Sequence, residues 1–185
     1  MKIQKSKGNI LITTEGAKTL VFFDDKKSVD EAVDIVINKS NESVEPTKAF
    51  LINIPGEYEE NSVMIQAIPS SSNREIEIIS LDNEGINLII VDSNTRLPNN
   101  KILEQVGLNN IMIFKELEGM GNLYTLIDDF APEYLIPICK TSESLDQIVK
   151  KLSLIKEEAL KSFSIIQEEL PSDEEDQPMK LIVLE

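Results

Sequence analysis

Apolar positions in the first half of the chain come in short runs. Ile10-Leu11-Ile12 and Leu20-Val21-Phe22-Phe23 flank the turn-prone Thr14-Glu15-Gly16-Ala17, a spacing that predicts a β-hairpin. Asp34-Ile35-Val36-Ile37 and Phe50-Leu51-Ile52-Asn53-Ile54 read as further strands, the second closed by the turn-forming Pro55-Gly56. Val63 to Ile68 and Glu75 to Ile79 follow. Within the latter, Ile76-Glu77-Ile78 alternates as a half-buried strand does. Ile86-Asn87-Leu88-Ile89-Ile90-Val91 is almost continuously apolar, the pattern of a strand covered on both faces.

In the second half the period changes. Ile102, Leu103 and Val106 have helical spacing between Pro98 and Val106, and Gly107 is placed to cap that helix. Ile111-Met112-Ile113-Phe114 reads as a strand. Leu123, Leu126, Ile127 and Phe130 predict a helix over 122–130, closed by Pro132. Tyr134 to Ile138 is the next strand. Leu145, Ile148, Val149, Leu152 and Ile155 then mark an amphipathic helix, with Ser144 and Gln147 spaced as a capping box. Phe163 to Ile166, an acidic loop at Asp173-Glu174-Glu175-Asp176 that reads as a solvated turn, and a last strand Leu181 to Leu184 complete the chain. A β-rich half followed by β-α-β-α predicts one α/β domain over residues 1–185, with a two-sheet core and helices outside it.

Composition narrows the chemistry. The 185 residues include 18 Lys and Arg, 33 Asp and Glu, no His, no Trp and a single cysteine, Cys139. Without histidine there is no Ser-His-Asp triad, Cys-His dyad or histidine base. One cysteine supplies neither an intrachain disulfide nor a zinc-thiolate site. A net charge of −15 opposes binding to nucleic acid and to anionic membrane surfaces. No apolar run approaches the ~20 residues of a spanning helix. The basic start, Met1 to Gly8, has no apolar segment after it, so it does not read as a signal peptide. With the lone thiol, this places the protein in the cytoplasm as an expectation.

One string points further. Ile54-Pro55-Gly56-Glu57-Tyr58-Glu59 resembles a segment of a bacterial branch of the metallo-β-lactamase superfamily, the ascorbate-lactonase-like, zinc-dependent hydrolases. Val63 to Ser70 resembles the family's strand ending in Ile-Pro-Ser, and Ile86 to Asp92 the strand that delivers its aspartate. Leu97 to Gly107 resembles the helix after it, and Tyr134-Leu135-Ile136-Pro137 the Ile-Pro strand. Leu170-Pro171 through Leu184 resembles the C-terminal hairpin. The resemblance covers essentially the whole chain. It implies an αββα sandwich, two mixed β-sheets with helices on the outer faces and a metal site at the edge between the sheets.

The same resemblance locates the missing imidazoles. Catalytic members carry a His-x-His-x-Asp-His run after a strand like Val33 to Ile37. Here Ser40, Glu42, Val44 and Glu45 stand at those four positions. Ser72 stands at the next histidine ligand, Asp92 matches the bridging aspartate, Cys139 falls near the final histidine, and Asn9 falls where an early histidine would sit. Zinc in such a site lowers the pKa of bound water to about 7. Only Asp92 keeps its ligand type, and Val44 can neither ligate nor act as a base.

The expected function is therefore that of a non-catalytic pseudo-hydrolase, a binding or assembly module without cofactor, with a protein partner or self-association and no nucleic acid or membrane. The strong negative charge favours a basic partner. A rebuilt hydrolase remains the alternative. It would use a hard cation on Glu42, Glu45 and Asp92, since oxygen-only ligation suits Mg, Ca or Mn, or the Cys139 thiol activated by a neighbouring cation or helix. Asp92 also has a structural reading, in which its carboxylate caps the next loop through the amides of Ser93, Asn94 or Thr95. Pro55-Gly56-Glu57-Tyr58 likewise reads as a turn.

Overall fold

Two β-sheets stack face to face in the computed structural model, which describes residues 1–6, 8–23, 32–39, 48–69, 75–170 and 178–185. The first sheet contains β1 (Lys2–Ser6), β2 (Asn9–Thr13), β3 (Lys18–Phe22), β4 (Ile35–Asn38), β5 (Phe50–Ile52) and β12 (Phe163–Ser164), in the order β12-β1-β2-β3-β4-β5. β12 through β3 pair antiparallel, whereas β3, β4 and β5 run parallel. The second sheet contains β6 (Gly56–Glu60), β7 (Val63–Pro69), β8 (Ile76–Asn83), β9 (Ile86–Asp92), β10 (Ile111–Lys115), β11 (Tyr134–Ile138) and β13 (Lys180–Leu181). Its order is β13-β11-β10-β9-β8-β7-β6, an antiparallel meander from β6 to β9 continued by parallel β10, β11 and β13.

The period-two alternation of the strands builds the layers. Ile10, Ile12, Val21, Ile35 and Ile37 point from the first sheet into a shared core with Ile79, Leu81, Leu88, Ile90, Ile111, Ile113 and Ile136 of the second. The opposite faces are also apolar. Ile89, Val91, Met112, Phe114 and Leu135 face a helical layer made by α1 (Asn100–Val106), α2 (Leu123–Phe130) and α3 (Ser142–Leu152). This explains the unbroken apolar run of β9, which is buried against helices on one side and strands on the other. Each fully buried aliphatic side chain there contributes roughly 1.5–3 kcal/mol. Among the described residues, all three helices lie on the second sheet. On the outer face of the first, Leu11, Leu20, Phe22 and Val36 form their own cluster, with Val33 and Ala49 packed on it among the described residues.

The hairpin of β2 and β3, the strands β4, β7, β9, β10 and β11, and the three helices stand where the pattern predicts them, and Gly107 caps α1 with φ at 69°. Four details differ. β1 is a strand although only Ile3 is apolar, because it fills the register beside β2. Pro55-Gly56 ends β5 but Gly56 also opens β6, so Gly56-Glu57-Tyr58-Glu59-Glu60 is an acidic strand at the edge of the second sheet, where charge is tolerated. The last strand is shorter than the pattern predicts: β13 covers Lys180–Leu181 and joins β11 in parallel, and the expected hairpin from Leu170 to Leu184 runs in part through residues outside those described. Finally, α3 is capped by the Thr141 hydroxyl, which accepts from Ser144 N, rather than by Ser144. That helix stops at Leu152, leaving Ile155 80% exposed.

Candidate functional site at one end of the sandwich

The strand alternation that builds the core carries on past it at one end. Lys39 follows Ile35 and Ile37 in phase, Asp92 follows Leu88 and Ile90, and Lys115 follows Ile111 and Ile113. Lys5 follows Ile3, and Phe23 follows Val21, in the same way. These residues therefore point into the space between the sheets at the C-terminal ends of their strands, the end where open α/β sheets commonly place ligands.

Three ammonium groups cross from one sheet to a backbone carbonyl on the other side. Lys39 Nζ donates to Glu77 O on β8 at 2.8 Å. Lys5 Nζ donates to Leu184 O in the C-terminal run at 3.3 Å, and Lys115 Nζ on β10 donates to Gly8 O at 3.3 Å. Lys115 Nζ also lies 5.9 Å from the centre of the Phe23 ring. In a chain of net charge −15, this end of the core is lined by cations.

Asp92 is an anion among them, only 8% exposed. Its Oδ2 pairs with Lys39 Nζ at 2.6 Å, with the lysine side chain 6% exposed. Its Oδ1 accepts from Asn94 N at 2.9 Å. The backbone closes the same turn: Thr95 N donates to Asp92 O at 3.0 Å, and Asp92 N donates to Thr95 Oγ1 at 3.0 Å. The capping role read from the sequence is thus present through the Asn94 amide, and the second oxygen holds Lys39.

The neighbouring loops are braced from below. Ser93 Oγ accepts from Leu117 N and Glu118 N at 3.0 Å each. Buried Glu116 accepts from Lys140 N at 2.8 Å on one oxygen and from Ser144 Oγ at 2.8 Å on the other, tying β10 to the start of α3. Gly121, with φ at 48°, lets the chain entering α2 run against Ser93, since a Cβ there would lie 1.9 Å from Ser93 O.

Cys139 packs at the edge of the helix-side core, half-buried. Burial pushes its thiol up to about 11, Glu116 adds to the rise, and Lys5 and Lys115 pull the other way. Lys5 and Lys115 are cations of the kind an activated thiol needs, but desolvation outweighs them and the thiol stays protonated at neutral pH.

Of the residues matched to the metal site, Ser40, Glu42, Val44, Glu45 and Ser72 lie outside the described residues. Asn9 is buried at the start of β2, in phase with Leu11 of the outer face rather than with the inner row, and its Oδ1 has no hydrogen-bond partner among the described residues. Among the described residues no three His, Cys, Asp or Glu side chains converge as a metal-holding group. Asp92 itself fits an ion poorly: an amide holds one oxygen and an ammonium the other. Sequence reading missed Lys39, Lys115 and Glu116. For the two lysines the signal was available, because each continues the inward phase of its strand by two residues. Glu116 gave none, since its partners, Lys140 N and the Ser144 hydroxyl, lie far along the chain.

Several solved structures resemble this one, three of them as follows. A proposed Zn-dependent hydrolase of the metallo-β-lactamase superfamily from Thermotoga maritima matches over 100% of this chain and 98% of its own, at 17% identity and a TM-score of 0.71. A mutant of the β-hydroxylase CmlA matches over 81% of this chain and 50% of its own, at 8% identity and a TM-score of 0.56. The metallo-β-lactamase fold protein YhfI from Bacillus subtilis matches over 77% of this chain and 84% of its own, at 10% identity and a TM-score of 0.52. No protein-family model and no curated protein matches the sequence. The chain has the metallo-β-lactamase fold; at these identities the likeness is one of fold. No helix among the described residues is long and apolar enough to cross a membrane.

Proposed function

We propose that this chain is a non-hydrolytic protein of the metallo-β-lactamase fold, a binding or assembly module in the cytoplasm. The observation that carries this reading is Asp92. The residue matched to the bridging metal ligand commits Oδ1 to the Asn94 amide and Oδ2 to the Lys39 ammonium. A metal-activated water needs an open coordination position on an ion held by several ligands, and an ammonium at 2.6 Å competes for the same oxygen. The raised thiol of Cys139 speaks against the nucleophilic alternative. The core is retained while the site chemistry differs, which is the separation of fold from function that shared folds allow. The partner is a protein, basic by complementarity to the −15 charge, or a second copy of this chain.

The test is elemental analysis of the purified protein beside hydrolysis assays on lactone and phosphodiester substrates. The expected result is no stoichiometric metal and no turnover above buffer. Stoichiometric zinc, manganese or magnesium that is lost in Asp92→Asn overturns the reading.

A further inference from the structure

We propose that Lys39 is the resident cation of this site: its ammonium does for the two sheets what a bound ion does in a metal-using sandwich. This rests on the reading of the chain as metal-free and adds what holds that end of the fold together instead.

The placement is specific. Lys39 leaves the first sheet at the end of β4, and both of its partners belong to the second sheet, the Asp92 carboxylate on β9 and the Glu77 carbonyl on β8. One positive charge thereby bridges two strands of one sheet and anchors them to the other, as a multidentate ion would. The side chains are 6% and 12% exposed, so the pair sits in the regime where each partner is costly to leave alone. The surroundings support it. Oδ1 of the same carboxylate is fixed by Asn94 N, so Oδ2 is oriented before Lys39 arrives. Lys5 and Lys115 donate to two more carbonyls at this end, those of Leu184 and Gly8. An added divalent ion at Asp92 would meet the Lys39 ammonium and a carboxylate whose oxygens are both engaged, which disfavours it electrostatically.

The experiment is a double-mutant cycle on the full chain, Lys39→Met, Asp92→Asn and the two combined, followed by urea unfolding. Removing one partner leaves the other charged and buried, so each single variant is expected to lower the folding constant about a hundred-fold or more. The double variant leaves no buried charge, and its loss is expected to fall at least tenfold short of the product of the singles. That shortfall persists in about 1 M NaCl, because buried pairs are weakly screened. Losses that simply multiply, or a coupling abolished by salt, overturn the proposal. If Lys39→Met does not fold, Lys39→Arg and Lys39→Gln decide the matter: the cationic variant is expected to keep the native near-ultraviolet spectrum and the neutral one to lose it. A Gln variant as stable as the parent overturns the proposal. Metal analysis of the same preparations separates the two ideas. Metal in the parent chain sinks the functional reading, whereas absent coupling in a metal-free parent sinks only the role of Lys39.

Discussion

Alkylation of Cys139 should be far slower in the folded protein than in the unfolded chain. The thiol is pushed up to about 11 from an ordinary value of 9.0, first by burial, then by Glu116. Only the thiolate reacts. At pH 7 the thiolate fraction is then roughly 1 in 10,000 in the native state against about 1 in 100 unfolded, so a small neutral reagent such as iodoacetamide should react on the order of 100-fold more slowly with the native protein. The rate measured from pH 7 to 11 should still be climbing tenfold per unit at pH 10, where the urea-unfolded chain has levelled off. Glu116→Gln removes the second cause and should shift the native curve to lower pH, while Lys115→Met should shift it higher. The same shift carries a stability consequence. A thiol whose folded value lies above its unfolded one stabilises the fold fully below about 9, and that contribution fades as pH rises through about 11. Urea midpoints of the parent and Cys139→Ser compared from pH 8 to 11 should therefore converge in the alkaline range. A native thiol that reacts at pH 7 as fast as the unfolded one would refute the reasoning and restore Cys139 as a candidate nucleophile.

Two substitutions test the scaffold that carries the site. Gly121→Ala places a Cβ against Ser93 O and imposes a left-handed φ on alanine, so a loss of about 1–3 kcal/mol in urea unfolding is expected, and a neutral outcome contradicts the close approach. Thr141→Ala removes the oxygen that accepts from Ser144 N and should cost about 1 kcal/mol by the same measurement, whereas a silent result would return the cap of α3 to Ser144.

Most of the fold was legible because the hydrophobic period is strong where burial is two-sided. β9 and β10 read as strands since both faces are covered, and α2 read as a helix since Leu123, Leu126, Ile127 and Phe130 all reach the same core. β1 and β6 were hidden for the opposite reason. Ile3 is the one fully buried residue of β1, and β6 is an edge strand whose glutamates face water, so each is specified by its neighbour's open register rather than by its own pattern. The partners of β12 and β13 were not legible because pairing at long separation leaves no local trace: they lie beside β1 and β11, in different sheets.

The site shows the same limit more sharply. Asp92 was identifiable as a strand-end carboxylate, and the absence of histidine made its usual metal company implausible. What takes that company's place was written in the phase of the strands, Ile35-Ile37-Lys39 opposite Leu88-Ile90-Asp92, yet phase fixes only direction. That the two strand ends meet, so that Nζ reaches Oδ2 at 2.6 Å, depends on how the sheets stack. A buried carboxylate requires a compensating charge or a proton. If the ion that would serve in a metal-using relative is not held, the sequence must supply a cation of its own from a strand facing Asp92, and among the described residues it is β4 that delivers one, Lys39. On the proposed metal-free reading, the absence of imidazole and the presence of Lys39 are two halves of one physical constraint on this end of the sandwich.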